Sequence, residues 1–137
     1  MKITFQKSKS DIPLIRFRLP GNDKYFTALV DTGSEVTLAD ETFVGENDIE
    51  PIQEGEMKLQ SINDKISHKT SKIQFDILFG RKKYTANCLT TDLSRISAQF
   101  NRQYNEGLEL SLLIGSDFLS DNKVDIDYKN KVIVINS

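Results

Sequence analysis

Ile15, Phe17 and Leu19 alternate with Arg16 and Arg18, and the same two-residue period returns at Ile73, Phe75 and Ile77 and at Val124, Ile126 and Tyr128. A period of two sends successive side chains to opposite faces of an extended strand, so these runs commit the chain to half-buried β-structure. Turn signals separate them. "LPGNDK" breaks the first run before "YFTALV", which predicts a hairpin of 15–19 with 25–30. "GRKK" turns a second hairpin that returns through "YTANCLT", and "KNK" turns a third that returns from Val132 to Ile135. Ile3 and Phe5 start a first strand, "EVTLAD" offers a short one, and Leu110 to Ile114 forms an apolar strand that stops at Gly115.

One segment breaks this rhythm. In "SRISAQFNRQYNEG" the residues Ile96, Phe100 and Tyr104 are spaced four apart and line one face of a helix over 94–104. Asp92 or Ser94 can cap its start, and Gly107 stands where a C-terminal cap belongs. "SDFLSD" is short and helical, and "ETF" adds a helical turn. Residues 45–56, "GENDIEPIQEGE", are polar and broken by Pro51 and two glycines, which predicts a surface loop. The polar stretch from Ser61 to Ser71 predicts a projecting hairpin tip or a loop. The chain shows no internal repeat, low-complexity tract or long linker, so residues 1–137 are expected to form a single, all-β domain.

Composition narrows the partners. Twenty acidic against 18 basic side chains leave a net charge of −2, with no basic block to hold nucleic acid. Arg81-Lys82-Lys83 is expected to be a solvated turn. No apolar stretch reaches membrane-spanning length and "MKITFQKSKSDIPL" lacks a secretory apolar region, so no membrane partner and a cytoplasmic location are expected. Cys88, the single cysteine, continues the alternation of Tyr84 and Ala86 and is expected inside a strand. His68, the single histidine, lies in a polar run, which rules out a His-rich metal site. Ser34 has no G-x-S-x-G elbow around it, and no phosphate-cradling glycine motif is present. Asp125 and Asp127 share the wet face of a strand without an identifiable third oxygen donor, so a metal hydrolase using them with Asp31 is the weakest reading. No metal and no cofactor are expected.

Asp31 poses a different problem. It follows the apolar Leu29-Val30 and precedes Thr32-Gly33, close to a core that disfavours an unsatisfied carboxylate. At a strand end followed by Thr-Gly, its oxygens can take hydrogen bonds from the Gly33 amide and neighbouring donors. Gly33 lets another chain approach closely, and Thr32 adds a packing methyl and a hydroxyl. One such element does no acid–base work. Two facing each other would share a proton, because like-charge repulsion splits their ionisations. That state can activate a water and protonate a carbonyl oxygen, which is what cleavage of an unstrained amide requires. The triplet occurs once, since Gly115-Ser116-Asp117 has the reverse order, so the second copy must come from a second chain related by twofold symmetry.

"LVDTGSEVTL" at 29–38 resembles the active-site loop of aspartic proteases, and "LLIGSDFL" at 112–119 resembles their later apolar-apolar-Gly strand. The tail "VDIDYKNKVIVI" is similar to the closing hairpin of single-lobed, retroviral-type (retropepsin-like) members, including those of bacteria and retrotransposons. The resemblance implies an acid-protease fold with a closed, barrel-like sheet, a flap hairpin and one or two short helices. It implies a homodimeric endopeptidase acting on an extended peptide or protein, with Asp31 catalytic and paired with its counterpart in the partner chain. Thr32 would hydrogen-bond across the dimer axis and Gly33 would line the substrate backbone groove. Ser34, Leu112, Leu113, Ile114 and Gly115 would support the active-site loop. Glu35 and the flap residues Ser61, Ile62, Ile66 and Ser67 would contact substrate. Two residues depart from the viral pattern: Glu35 replaces an Asp, and Ser116 replaces the Arg that would pair with it. The alternative is a catalytically inactive retropepsin-fold dimer that binds peptide or serves as a scaffold.

Overall fold

The computed structural model describes residues 1–58 and 67–136, with only the backbone described for 53–58 and 67–69. In chain order the strands are β1 (Lys2–Thr4), β2 (Leu14–Phe17), β3 (Phe26–Val30), β4 (Leu38–Asp40), β5 (Pro51–Lys58), β6 (Ser67–Phe79), β7 (Lys82–Thr91), β8 (Leu110–Ile114), β9 (Val124–Asp127) and β10 (Val132–Ile135). Three helices interrupt them: α1 (Glu41–Glu46), α2 (Ser94–Tyr104) and α3 (Ser116–Asp121). A seven-stranded sheet runs β2-β3-β8-β4-β7-β6-β5, and a three-stranded antiparallel sheet runs β1-β10-β9. The chain is therefore mostly β, as the alternation predicts.

The expected barrel closure does not occur. The seven-stranded sheet is open, with β2 and β5 at its edges. One isolated bridge joins Arg18 to Leu78, with N···O distances of 3.1 and 2.8 Å, and brings the arm beyond β2 against β6. Pairing stops there, because Leu19-Pro20-Gly21 turns the chain away and Gly21 takes a positive φ of 76°.

Burial along β3 alternates, with Phe26, Ala28 and Val30 buried and Thr27 and Leu29 partly exposed. All five residues of β8 are buried instead. A strand covered on both faces shows that pattern. One face packs on the main core, where Phe17, Phe26 and Phe43 meet with ring centroids 4.8–5.8 Å apart and Ile133 and Ile135 of β10 close the bottom. The other face carries a smaller cluster of Leu14, Leu93, Phe100, Leu110 and Leu113, roofed by α2.

Several local expectations need correction. Residues 51–56 belong to β5 rather than to a loop: a polar strand gains its backbone hydrogen bonds from β6 whatever its side chains are, and Pro51 sits at the first, edge position where its missing N–H is tolerated. Likewise, 67–71 belong to β6, and α1 runs on to Glu46 under an Asp40 N-cap whose Oδ2 accepts from the Phe43 amide at 3.3 Å. Helix α2 ends on Asn105, not Gly107; Asn105 takes the left-handed conformation (φ 53°), which asparagine tolerates through its short polar side chain. At the other end Leu93, rather than Asp92 or Ser94, holds the N-cap position and makes no side-chain cap bond; Asp92, one place earlier, accepts from the Ser94 amide at 2.8 Å, and hydrogen bonds from Ser94 hold its carboxyl below the usual range. The 61–66 part of the expected flap tip lies outside the described residues.

Candidate active site

β3 and β8 run parallel, with Leu29 opposite Leu113 and Val30 opposite Ile114. The Asp31 amide donates to the Ile114 carbonyl at 2.9 Å, which fixes the half-buried carboxylate at the sheet's end. From there the chain turns back on its own acid. The Gly33 amide donates to Asp31 Oδ1 at 2.9 Å, and the Ser34 amide donates to the Asp31 carbonyl at 3.2 Å. A Cβ on Gly33 would stand 3.2 Å from that same Oδ1, so glycine keeps the turn uncrowded. No described residue donates to Asp31 Oδ2. Thr32, Gly33 and Glu35 are exposed beside it.

β8 leaves the sheet directly across this loop. The Ser116 amide donates to the Ser34 carbonyl at 2.7 Å, and Ser34 Oγ donates to the Val36 carbonyl at 2.7 Å. Gly115 lies so close to the loop that a Cβ would strike the Val36 carbonyl oxygen and stand 2.6 Å from its carbon and 2.8 Å from the Ser34 oxygen. Only glycine fits this crossing. Leu112 and Ile114 point into the main core, and Leu113 points into the smaller cluster under α2.

The crossing is tied by two residues that the motifs do not single out. Thr37, 1% exposed, accepts from the Gly115 amide at 3.1 Å and donates its hydroxyl to Asp117 Oδ1 at 2.6 Å. Its amide donates to Asp117 Oδ2 at 3.2 Å, and the Phe118 amide donates to Asp117 Oδ1 at 2.7 Å. One carboxylate thus gathers three donors and joins the loop after Asp31 to the start of α3. Glu35 and Ser116 form no ion pair; the two ion pairs among the described residues are Arg18–Asp23 and Lys131–Asp11. The Thr37–Asp117 bonds tie the loop after Asp31 to the start of α3. The sequence signal was the Asp two places after Gly115, together with a Thr six places after Asp31.

Cys88 lies buried on β7. Burial, with Asp117 nearby as the smaller influence, pushes its thiol up to about 12, which makes it a protonated packing group. Asp125 and Asp127 lie on β9 and serve the closing sheet: Asn136 donates to Asp125 Oδ2 at 2.8 Å, and Asp127 accepts from the Asn130 amide and side chain at 3.0 and 2.8 Å. The Asn130 bonds hold the Asp127 carboxyl below its ordinary range. Among the described residues no three His, Cys, Asp or Glu side chains gather as metal ligands, and no helix is long and apolar enough to cross a membrane. Of the flap residues, Ser61, Ile62 and Ile66 lie outside the described residues, and Ser67 is described only as the first backbone position of β6.

The span that holds the Asp31 turn and the β8 crossing is matched by a family model, that of the retroviral aspartyl protease, over residues 9–127. The chain belongs to that family. β1 and β10 lie outside the matched span. Solved structures agree on the fold. The retroviral protease-like domain of Ddi1 from Leishmania major superposes with a TM-score of 0.60 at 11% identity, covering 92% of this chain and 89% of that one. A retropepsin-like aspartic protease from Rickettsia conorii gives 0.57 at 15% identity, covering 98% and 88%. The EIAV protease, solved with the inhibitor HBY-793, gives 0.55 at 13% identity, covering 85% and 92%. No curated protein sequence matches the chain.

Proposed function

We propose that the protein is a homodimeric aspartic endopeptidase in which each chain supplies one Asp31 to a shared site. The observation that carries this reading is the Asp31 turn itself. Oδ1 is committed to the Gly33 amide, while no described residue bonds Oδ2, and the neighbouring Thr32 and Gly33 are exposed. Such a face is built to meet its own twofold copy. Two opposed carboxylates then hold one proton between them. The charged one takes a proton from water as the water oxygen attacks the peptide carbonyl carbon. The neutral one gives its proton to the carbonyl oxygen. The tetrahedral intermediate collapses with cleavage of the C–N bond, and a proton passes to the departing nitrogen. Thr32 would bond across the axis, and Gly33, Glu35 and the hairpin of β5 and β6 would hold an extended peptide or protein substrate. The chemistry needs no metal or cofactor.

Asp31→Asn removes the shared proton and preserves the turn, because the amide oxygen can still accept from Gly33. Peptide cleavage should fall by about 10³-fold or more while the thermal transition stays near that of the parent. Equal cleavage by parent and variant, both freshly purified, contradicts the assignment. The second reading is a dimer that grips peptide without cutting it; it requires α2, which roofs the sheet face carrying Leu113, to obstruct the groove. Under it the parent binds an extended peptide and releases it intact.

A further inference from the structure

A groove of about 680 Å³ runs between α1 and α2 and does not include the Asp31 turn. Thr42 and Glu46 line it from α1, and Ala98 and Asn101 from α2. Its base is formed by the buried Phe26 and Ser111, at the beginnings of β3 and β8. Asp31 follows the far end of β3, about 16 Å along the strand from Phe26. Ser111 reaches the groove through a fault in the sheet. Thr27 pairs with Leu110 and Ala28 with Leu112, so Ser111 is an extra residue bulged out of the β3–β8 ladder. A bulge re-aims the side chain it carries. Ser111 is only 9% exposed, and no described residue hydrogen-bonds its hydroxyl. Because Ser111 lines the groove, that unmet bonding capacity is offered there.

Charge decides the occupant. Asp40, Glu46 and Glu109 line the groove against a single cation, Lys24. Asp40 is fixed, with Oδ1 accepting from the Leu93 amide at 2.9 Å and Oδ2 from the Phe43 amide at 3.3 Å. Glu46 and Glu109 are exposed and make no ion pair among the described residues. Lys24 Nζ stands 5.3 Å from the centroid of the Phe26 ring, so the aromatic base already takes an ammonium over it. We propose that this groove binds an organic cation, an ammonium or guanidinium head on an apolar stem, at a site separate from the Asp31 turn. The Ser111 hydroxyl accepts a hydrogen bond from the head, the carboxylates balance its charge, and Phe43 and Leu108 pack on the stem. An anion would meet three carboxylates and is repelled. A space of this size suits a small ligand or one long side chain of a peptide. The same head and stem occur in a free amine and in a lysine or arginine side chain. The inference stands without the endopeptidase reading.

The test titrates the full chain with two cationic probes, cadaverine and N-acetyl-lysine amide, and follows backbone amide signals by NMR. N-acetyl-norleucine amide, which keeps the stem and lacks the charge, is the neutral control. At least one cation should bind at millimolar concentration and shift the Ser111 and Asn101 amides, and the control should bind about tenfold more weakly. Tighter binding of cadaverine assigns a free amine as the occupant, and tighter binding of N-acetyl-lysine amide assigns a peptide side chain; either supports the site. Ser111→Ala should weaken binding about tenfold and Glu109→Gln about threefold. Lys24→Gln should strengthen it about threefold by removing the resident cation. Asp31→Asn should leave it unchanged. If Ser111→Ala lowers the thermal transition, the Glu109 and Lys24 variants decide, since both positions are exposed. The site is overturned if the parent binds neither cation, if the neutral control binds equally well, or if the groove variants keep the parent affinity. Loss of binding in Asp31→Asn also overturns it, because the cation would then sit at the strand-end acid. Peptide cleavage plays no part in the readout, so its absence contradicts the endopeptidase reading alone.

Discussion

Thr37 and Asp117 show what a single pair of side chains does for the loop. Asp117 accepts from three donors, and removing its carboxylate leaves the Thr37 amide and hydroxyl and the Phe118 amide without their acceptor. A buried donor left unpaired costs about 1–3 kcal/mol, and these three share one acceptor. Asp117→Ala should therefore cost about 2–4 kcal/mol and lower the melting temperature by about 10 °C, read by calorimetry. Peptide cleavage should fall with it, because the loop it holds carries Asp31. Asp117→Asn keeps one acceptor oxygen and should recover part of both losses. An Ala variant as stable as the parent would show that the three donors find other partners. This pair was hidden in the sequence for a physical reason. Asp31-Thr32-Gly33 is a local turn whose bonds close within three residues, so its chemistry shows in its spelling. Thr37 and Asp117 stand 80 residues apart, and their meeting depends on where β8 crosses the loop.

The elements that were legible are those whose side chains alone decide their structure. α2 follows from the spacing of Ile96, Phe100 and Tyr104, and β8 from an unbroken apolar run ending at Gly115. β5 was missed because its side chains are polar and its partner strand supplies the bonds. The α2 cap shifted to Asn105 because Asn101 closes the loop after the helix: its side chain accepts from the Leu108 amide at 2.8 Å and donates to the Leu108 carbonyl at 2.9 Å. At this scale Gly115 is the critical joint, since it lets the end of β8 pass within backbone contact of the loop. Gly115→Ala should cost about 3 kcal/mol, because the added methyl meets backbone carbonyls that cannot rotate away. Chemical denaturation measures it. A cost within about 0.5 kcal/mol of zero would mean that the loop moves freely off β8.

At the scale of the whole molecule, the open sheet and the closing sheet carry the account. Barrel closure was expected from the family resemblance, but among the described residues a single Arg18–Leu78 bridge is the extent of it, and β5 is left as an edge. The chain's two ends pair with each other: the Ile135 amide donates to the Met1 carbonyl at 2.8 Å, and the Met1 amino group donates to the Ile135 carbonyl at 3.0 Å. β1 and β10 are thereby joined within one chain, and β9 remains an edge of that sheet. Each chain then holds one candidate acid on a turn whose outer oxygen no described residue bonds, and the proposed chemistry requires two chains together.

Subunit mixing tests that claim most directly. Parent and Asp31→Asn chains are unfolded together in equal amounts, refolded, and assayed for peptide cleavage at fixed total protein. If each site needs an Asp31 from both chains, only parent–parent pairs act, and about a quarter of the parent activity remains. If each chain works alone, about half remains, and the shared-acid account is contradicted.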